Sequence, residues 1–180
     1  MRDLVERAKR GDENAFAELV YLIGDRLYAV ARRILQEPSR ADDALQQALV
    51  AIWRDLPTLR DLDRFEAWSY RVLVRCCYEE VSQARRWAAQ IHVLRVEPVA
   101  DETAGVLDRD RIEHGFRRLT PEQRAAVVLH FYLGLTTAET AETLGIAAGT
   151  VSSRLHYALR VLRAAIEADE RPALAKKSRA

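Results

Sequence analysis

Hydrophobic side chains recur every three or four positions through most of this chain, the spacing that places them on one face of an α-helix. The alternation of polar and hydrophobic residues that marks a β-strand is confined to Ile91–Val96, and no Asn-Gly or Asp-Gly turn joins two such segments. The pattern therefore predicts an all-α protein. Helices are expected within about 1–10, 12–35, 39–56 and 64–87, and again within 109–119, 120–134 and 136–166.

Residues that start and stop helices divide the N-terminal part of the chain further. Asp12 lies directly before the second segment, where its side chain can accept a hydrogen bond from a backbone N–H of the first turn. Ser39 and Asp42 are expected to cap the third segment. Pro38 and Pro57 are expected to end the helices before them, because proline lacks the N–H that a helix interior requires.

The segment from Thr136 to Arg163 has the pattern of two helices joined by a tight turn. Thr136 and Glu139 have the spacing of a capping box, which starts a helix, as do Thr120 and Gln123 at the start of the preceding segment. Gly145 suits the left-handed backbone that ends a helix. A second, longer helix follows the turn. Its predicted hydrophobic stripe consists of Val151, Leu155, Leu159, Leu162 and Ile166.

The other face of that second helix is rich in hydroxyl, imidazole and guanidinium groups. Such groups can bind phosphates and base edges in the DNA major groove, so the segment is predicted to be a helix-turn-helix. A plain helical hairpin with a solvated polar face stays open as the alternative. The candidate DNA-binding residues are Thr150, Ser152, Ser153, Arg154, His156, Tyr157 and Arg160.

A second candidate for nucleic-acid binding is the helix expected at about 64–87, where arginines and aromatic residues alternate. Aromatic rings stack on unpaired bases and arginines neutralise phosphates, which is how proteins hold single-stranded DNA. The spacing of Phe65, Trp68 and Leu73 equally favours packing against the preceding helices. The exposed set would then be Arg64, Arg71, Arg75, Tyr78, Arg85 and Arg86.

Helical periodicity fades between Ala88 and Asp108, where proline, glycine and acidic residues appear. A connection of about twenty residues is longer than those usually found inside a compact domain. We therefore expect two small helical domains joined by a flexible linker. The expected ranges are 1–87 for the N-terminal domain, 88–108 for the linker, 109–170 for the C-terminal domain and 171–180 for a mobile basic tail.

Composition narrows the classes of function. The 180 residues carry a formal net charge of only +1, so DNA contact has to come from local patches or from a partner that holds the DNA. No hydrophobic run is long enough to cross a membrane and the charged N-terminus lacks a signal core, so we expect no membrane insertion and a cytoplasmic location. Cys76 and Cys77 are neighbours and cannot link distant segments, so packed thiols are expected, with no metal or other cofactor.

The adjacent carboxylates Asp42 and Asp43 raise the alternative of an enzyme. Neighbouring helix positions point about 100° apart, and Gln46 and Gln47, one turn later, are poor ligands for a hard cation. A negative charge near a helix N-terminus explains the pair without catalysis. The sequence also lacks HExxH and glycine-rich phosphate-loop motifs, so no catalytic residues are predicted.

Three of these segments resemble one protein family. The run LTTAETAETLGIAAGTVSSRLHYALRVL is similar to the C-terminal promoter-reading domain of bacterial sigma factors of the extracytoplasmic-function group. The run RFEAWSYRVLVRCCYEEVSQARR resembles the family's helix that engages the −10 promoter element, and Leu59–Asp63 corresponds to the loop that captures a flipped base. The run SRADDALQQALVAIWRDL resembles the helix that grips a coiled coil of the polymerase β′ subunit.

The resemblance implies a function and a role for each segment. The chain is expected to bind core RNA polymerase at the β′ coiled coil and the β flap, to direct initiation at promoter DNA, and to have an anti-sigma factor as a further partner. The helix-turn-helix would read the −35 element as duplex. The resemblance implies single-strand −10 contacts for Arg60, Asp61, Arg64, Trp68, Arg71, Arg75, Tyr78 and Arg85, and polymerase contacts for Asp42, Asp43, Gln46, Gln47 and Trp53.

An autonomous helix-turn-helix regulator is the other class of function left open. Such a protein would need a dimer interface or a ligand pocket, and it would bind duplex DNA without polymerase. The arginine-rich aromatic helix and the polymerase-binding resemblance argue against it.

Overall fold

The computed structural model describes the backbone of residues 1–90 and 107–177 and the side chains of residues 1–87 and 112–167. Every regular element within these ranges is helical, which confirms the predicted all-α class, and none has both the length and the hydrophobicity that crossing a membrane requires. The strand candidate Ile91–Val96 lies outside the described residues. The helices are α1 (Arg2–Lys9), α2 (Glu13–Leu35), α3 (Pro38–Asp55), α4 (Phe65–Gln90), α5 (Leu107–Arg117), α6 (Pro121–Val127), α7 (Thr137–Leu144) and α8 (Ala148–Lys177).

The N-terminal half, residues 1–90, is a bundle in which α2, α3 and α4 pack against one another and α1 lies on α2. Helical spacing brings Leu19 and Ile34 of α2 to one face, where they join Ile52 of α3 and Leu73 of α4. All four side chains are fully buried. The predicted amphipathic helices therefore form a single hydrophobic core.

Asp12 caps α2 as predicted. Its Oδ1 accepts a hydrogen bond from the Ala15 N–H at 3.0 Å, and its Oδ2 accepts two from the Arg7 guanidinium at 3.0 and 2.8 Å. The backbone bond first, and then the bond with Arg7, hold the pKa of the Asp12 carboxyl below its ordinary value. The corner between α1 and α2 is thus fixed by one side chain.

The predicted side-chain cap of α3 is wrong. The helix begins at Pro38, preceded by Glu37 in extended backbone, and no side chain caps it. Ser39 instead donates to a Glu37 carboxylate oxygen at 2.9 Å. Proline suits the first helical position because its φ is already helical and its missing N–H would have no partner there. The preceding helix has already ended at Leu35, and Gln36 adopts a left-handed φ of 65°.

Two 3₁₀ turns, Leu56–Thr58 and Leu62–Arg64, connect α3 to α4 where the sequence indicates only a loop. Pro57 lies in the first of them, just past the end of α3, as predicted. Helix α4 continues to Gln90, and α5 already begins at Leu107. Both ends of the expected linker are therefore helical.

The C-terminal half, residues 107–177, packs α5, α6 and α7 against α8. Helices α5 and α8 approach so closely that a Cβ atom added at Gly115 would lie 3.0 Å from the Cβ of Ala165. Such a contact is tighter than most real Cβ contacts, so the crossing favours glycine, which no sequence pattern indicates. The buried hydrophobic residues of this half's own core are Leu119, Ala126, Val127, Ala141, Val151, Leu155 and Ala158.

Both predicted capping boxes of the C-terminal half are formed. The Thr120 hydroxyl accepts from the Gln123 N–H at 3.3 Å, and the Gln123 side chain accepts from the Thr120 N–H at 3.0 Å. Thr136 and Glu139 make the same reciprocal pair at 3.2 and 2.8 Å. Gly145 ends α7 with a φ of 66°, as the sequence predicts.

Replacing Gly145 with alanine should lower the free energy of unfolding by about 1 kcal/mol, because a Cβ is penalised at that positive φ. Gly24→Ala is the matched control: Gly24 lies inside α2 with nothing within 4 Å of an added Cβ, so its replacement should raise stability by up to ~1 kcal/mol. Urea denaturation followed by circular dichroism measures both. Equal effects of the two substitutions would contradict the assigned cap.

Two stretches of the C-terminal half differ from the prediction. Val128–Tyr132 forms a π-helical turn, in which the Leu133 N–H bonds to the Val128 carbonyl at 3.1 Å. The expected tail, residues 171–180, is instead helical as far as Lys177. Extending an existing helix orders one residue for each new hydrogen bond, so weak periodicity alone does not end it.

The two halves pack against each other, an arrangement that the sequence leaves undecided. Helix α6 and the π-helical turn lie on α2, and α7 lies on α4. Ala125, Val128 and Leu129 are buried in the hydrophobic core of the N-terminal half. The buried Arg124 guanidinium crosses the boundary and donates to the Ile34 carbonyl at 2.5 Å.

Candidate nucleic-acid interface

Helices α7 and α8 form the predicted helix-turn-helix. Gly145 takes the left-handed conformation, and the Ile146 N–H bonds back to the Ala141 carbonyl at 3.0 Å, so the chain reverses within a few residues. Val151 and Leu155 of α8 are buried in the core shared with α6 and α7. This packing fixes which face of α8 is turned to solvent.

The solvent-facing side of α8 carries the predicted DNA-binding set. Arg154 is half-buried, and the other members of the set are exposed. The Ser152 and Ser153 hydroxyls donate to carbonyls one turn earlier, at 3.2 Å to Ala148 and 3.0 Å to Gly149. Their oxygens can still accept hydrogen bonds, so both remain suited to polar contacts in a groove.

One member of the predicted hydrophobic stripe of α8 is placed differently. Leu159 is 46% exposed, whereas the neighbouring Ala158 is fully buried. The small side chain of Ala158 allows close packing in the core. Alanine is only weakly hydrophobic, so the sequence pattern did not identify Ala158 as a core position. Leu159 therefore adds an apolar contact point beside Tyr157 and Arg160 that the sequence prediction missed.

The second candidate set lies along α4 and the turn before it. Arg60, Asp61, Arg64, Arg71, Arg75 and Arg85 are exposed, and Trp68 and Tyr78 are half-buried. Phe65 and Leu73 are buried, so the packing alternative is correct for those two, and Trp68 packs on the Phe65 ring with centroids 6.2 Å apart. The arginines of the set therefore share an exposed surface, whereas Trp68 and Tyr78 are partly buried in the core.

The turn before α4 is ordered by one of the candidate residues. Asp61 Oδ1 accepts a hydrogen bond from the Asp63 N–H at 3.0 Å and caps the 3₁₀ turn Leu62–Arg64. Asp61 therefore has a structural role at this point, in addition to any contact with a base. Arg60 and Arg64 are exposed on either side of it.

Two arginines of the α4 set contact α7 of the other half. Arg64 Nη2 lies 2.7 Å from Glu142 Oε2, and Arg71 donates to the Glu142 backbone carbonyl. Arg75 instead pairs with Glu79 on its own helix at 3.0 Å. The face of α4 that carries Arg64 and Arg71 is therefore partly covered by the helix-turn-helix.

Tyr78 and Arg154, one from each candidate set, lie close together. Burial raises the pKa of the Tyr78 hydroxyl to about 12, and the positive charge of Arg154 opposes that rise. The structure thus brings the two predicted DNA-binding surfaces to the same boundary between the halves.

The candidate polymerase-binding residues lie on α3. Asp42, Asp43, Gln46 and Gln47 are exposed, and Gln47 also donates to Glu80 of α4 at 2.6 Å. The half-buried Trp53 packs on Phe16 with ring centroids 4.8 Å apart. The sequence prediction missed Val50, which is 62% exposed and lines an open groove with Gln46, Arg54, Val72 and Arg75. An exposed valine beside polar groups is a common component of a protein–protein contact.

Cys76 and Cys77 are buried on α4. Burial raises the pKa of the Cys76 thiol to about 11 and that of Cys77 to about 12, so both are almost wholly protonated at neutral pH. We therefore expect neither thiol of the folded protein to react with a thiol reagent at pH 8, whereas both should react in denaturant. Rapid labelling of the native chain, measured by mass spectrometry, would contradict this placement.

Models of two protein families match most of the chain. Residues 19–87 match the model described as Sigma-70 region 2, and residues 109–162 match the model described as Sigma-70, region 4. The first match covers most of α2 and all of α3, and runs through α4 to Trp87. The second covers most of α5, all of α6 and α7, and the first half of α8. Both surfaces described above fall within the matched ranges.

Relatives and solved structures agree with these matches. The chain is 35% identical over 144 residues to ECF RNA polymerase sigma factor SigM of Mycobacterium tuberculosis, covering 80% of this chain and 73% of that protein. It is 34% identical over 153 residues to RNA polymerase sigma-E factor of Streptomyces coelicolor, covering 85% and 86%. The structure resembles that of CnrH in complex with the cytosolic domain of CnrY, with a TM-score of 0.66, 26% identity, and coverage of 93% and 97%.

A further solved structure supports the fold alone. It is the sigma factor RpoE in complex with the anti-sigma factor NepR from Bartonella quintana, with a TM-score of 0.71 at 24% identity. The similarity covers 86% of this chain and 98% of that one, so it extends over both halves.

Proposed function

Because this chain belongs to the extracytoplasmic-function group of sigma-70 RNA polymerase sigma factors, we propose how its two halves divide promoter recognition between them. A sigma factor binds core RNA polymerase and directs it to promoters, and it is not an enzyme in the catalytic sense. The observation that carries the division is that each half exposes an arginine-bearing helix face, on α4 and on α8. We assign the protein to the cytoplasm, where its polymerase acts.

The C-terminal half is proposed to read the −35 element as duplex DNA. An α-helix fits the major groove, and the polar face of α8 offers hydroxyls, an imidazole and guanidinium groups there. Arg154 is the main candidate for a base or phosphate contact, and Thr150, Ser152, Ser153, His156, Tyr157 and Arg160 surround it.

The N-terminal half is proposed to hold the −10 element as an opened single strand. Exposed arginines in a row can follow the phosphates of one strand, while Trp68 and Tyr78 are partly accessible for stacking. The turn containing Arg60 and Asp61 would receive the base that leaves the stack, which makes unpairing favourable at that position.

Helix α3 is proposed to bind core RNA polymerase. Its exposed Asp42, Asp43 and Gln46 form an acidic and amide-rich face that suits a basic coiled coil such as the family's β′ site. Val50 extends this face with an apolar contact. The exposed Gln47 and the half-buried Trp53 help to position the same helix, since both already contact other parts of the N-terminal half.

An anti-sigma factor is proposed as a further partner. The support is that the solved relative from Bartonella quintana is described as a complex with the anti-sigma factor NepR. A partner that contacts both halves at once would hold them in the packed arrangement seen here.

Transcription with purified core polymerase tests the assignment. We expect the full chain to produce specific transcripts from promoters that it selects from genomic DNA, and core polymerase alone to produce none. A protein that binds a duplex operator tightly by itself, with no effect of added polymerase, would instead be an autonomous helix-turn-helix regulator, and the proposed function would be wrong.

Arg154→Ala should weaken −35 recognition by the polymerase complex by ~1–3 kcal/mol, because it removes one specific contact. Arg163→Ala is the matched control, since Arg163 is an exposed arginine of the same helix outside the candidate set. Promoter affinity can be measured by fluorescence anisotropy at fixed salt concentration. Similar losses in the two variants would remove Arg154 from the recognition surface.

A further inference from the structure

A groove of 610 Å³ lies where the last turn of α2 meets α5, α6 and the π-helical turn. Its volume falls within the ~300–1,000 Å³ that is usual for small-molecule sites. None of the residues that line it belongs to the candidate DNA-binding or polymerase-binding sets. Its hydrophobic wall consists of Ile112, Phe116, Val127, Val128, Phe131 and Tyr132.

Three large hydrophobic side chains of this wall are open to solvent. Ile112 is 50% exposed, Phe131 57% and Tyr132 47%, whereas Val127 and Val128 are buried. The Leu133 N–H bonds to the Val128 carbonyl five residues back, and this wider turn moves Phe131 and Tyr132 off the buried face that α6 follows. Exposed hydrophobic side chains gathered in one concave place are typical of a binding site.

Two arginines of α2 line the other side of the groove. The Cζ atom of Arg33 lies 3.8 Å from the centroid of the Tyr132 ring, and its Nη1 donates to the Ala29 carbonyl at 2.8 Å. Arg32 is half-buried, and its Nη1 is covered by protein without a hydrogen-bond partner among the described residues. No described carboxylate forms a salt bridge with either arginine.

The unpaired guanidinium of Arg32 favours an anion in the groove. Arginine has five N–H donors and no acceptor, so a buried donor without a partner is costly until an acceptor arrives. Two charges oppose an anion here. The end of α2 contributes about half a negative charge, and the exposed Glu113 in the lining contributes one. The two arginines outweigh them, so the groove is positive overall.

We propose that this groove binds a small aromatic carboxylate. The carboxylate pairs with Arg32, whose planar fork of donors matches two carboxylate oxygens. The ring system lies against Phe116, Phe131 and Ile112, since aromatic rings in contact gain more than burial of their area alone. A cation is repelled by the arginines, and an anion without a hydrophobic body leaves the exposed wall in water.

The ligand would contact both halves of the chain, because α2 belongs to one half and α5 and α6 to the other. A ligand that binds only the folded protein raises its stability in proportion to the logarithm of ligand concentration at saturation. The site does not depend on how the two halves divide promoter recognition, so it can fail or hold independently of the proposed function.

Titration calorimetry of the full chain at neutral pH tests the site, with 2-naphthoate as the probe. The neutral 2-naphthol has the same rings without the charge, and acetate has the charge without the rings. Arg32→Met removes the guanidinium but keeps a hydrophobic stem, and Arg26→Met is its control on an exposed part of α2. Phe131→Ser removes part of the wall, and Tyr21→Ser is its control, since Tyr21 is an exposed aromatic residue of α2 that does not line the groove.

We expect the wild type to bind 2-naphthoate at least about tenfold more tightly than 2-naphthol, and Arg32→Met to lose a similar factor, because a hydrogen-bonded charge contact is removed. Without ligand, Arg32→Met should unfold at no lower temperature than the wild type, since Arg32 Nη1 has no partner to lose among the described residues. Phe131→Ser should also weaken binding, whereas Arg26→Met and Tyr21→Ser should bind as the wild type does.

Three results would overturn the proposal. Equal affinity for 2-naphthoate and 2-naphthol would show that the arginines take no part. Equal affinity in Arg32→Met, Phe131→Ser and their two controls would place the probe elsewhere on the surface. No saturable binding at millimolar 2-naphthoate, with loss of core polymerase binding in Phe131→Ser or without it, would leave the groove as a protein contact or as unoccupied surface.

Discussion

Arg124→Leu will lower the free energy of unfolding by about 3 kcal/mol. The guanidinium is buried and donates to the Ile34 carbonyl at 2.5 Å and to the Leu119 carbonyl at 3.1 Å. Leucine would leave both buried acceptors without a partner, and each such loss costs ~1–3 kcal/mol. Ile34 lies in the last turn of α2, where the carbonyls have no partner within the helix and favour a positive charge.

Chemical denaturation of the full chain measures this effect. Arg117→Leu is the matched control, because Arg117 is an exposed arginine of the same half, and its replacement should change stability by less than ~0.5 kcal/mol. Arg124→Lys should fall between the two, since one ammonium cannot reproduce the planar fork that reaches two acceptors. A loss below about 1 kcal/mol for Arg124→Leu would show that the contact contributes little to the packed state.

Removing both Arg64 and Arg71 is expected to have one effect on the polymerase-bound protein and a separate effect on the free protein. In the polymerase complex, the double alanine variant should lose about 3 kcal/mol of open-complex stability, because two phosphate or base contacts to the −10 strand disappear. In the free protein, the same change removes the partners of Glu142 and should loosen the packing of α7 on α4.

Permanganate reactivity of unpaired thymines measures the first effect, and hydrogen exchange of α7 measures the second. The matched control is Arg10→Ala combined with Arg26→Ala, since both arginines are exposed and each pairs with a carboxylate, Glu6 and Glu66 respectively. Normal promoter opening by the Arg64 and Arg71 double variant would contradict the proposed −10 surface. Unchanged protection of α7 would show that these two contacts do not hold α7 on α4.

Features that depend on a few neighbouring residues were predictable from the sequence. The capping boxes at Thr120 and Thr136 and the left-handed Gly145 are formed as expected, because each depends on side chains within four positions of the backbone that they serve. These features, together with the hydrophobic stripe of the second helix that begins at Val151, are enough to predict the helix-turn-helix.

Features that depend on distant packing were not predictable. Pro38 is compatible with both the end of one helix and the start of the next, and only the structure distinguishes these. The close crossing at Gly115 and the burial of Ala158 depend on a partner helix that local patterns do not specify.

The contact between the halves shows most clearly that packing between distant residues cannot be predicted from local sequence patterns. Arg124 has the sequence context of an ordinary surface arginine on an amphipathic helix, yet it is buried against a carbonyl of α2. Glu142 likewise has the context of a solvated residue, although it pairs with Arg64. Their partners lie far away along the chain, so no spacing rule connects them.

The buried patch of Ala125, Val128 and Leu129 makes the packing of the two halves depend on temperature. Separating the halves brings this apolar surface into water, and hydration of apolar surface raises the heat capacity. The attraction between such surfaces weakens on cooling. A chilled cell would therefore hold a larger share of the protein in the separated form, ready to be captured by polymerase, than a warm one.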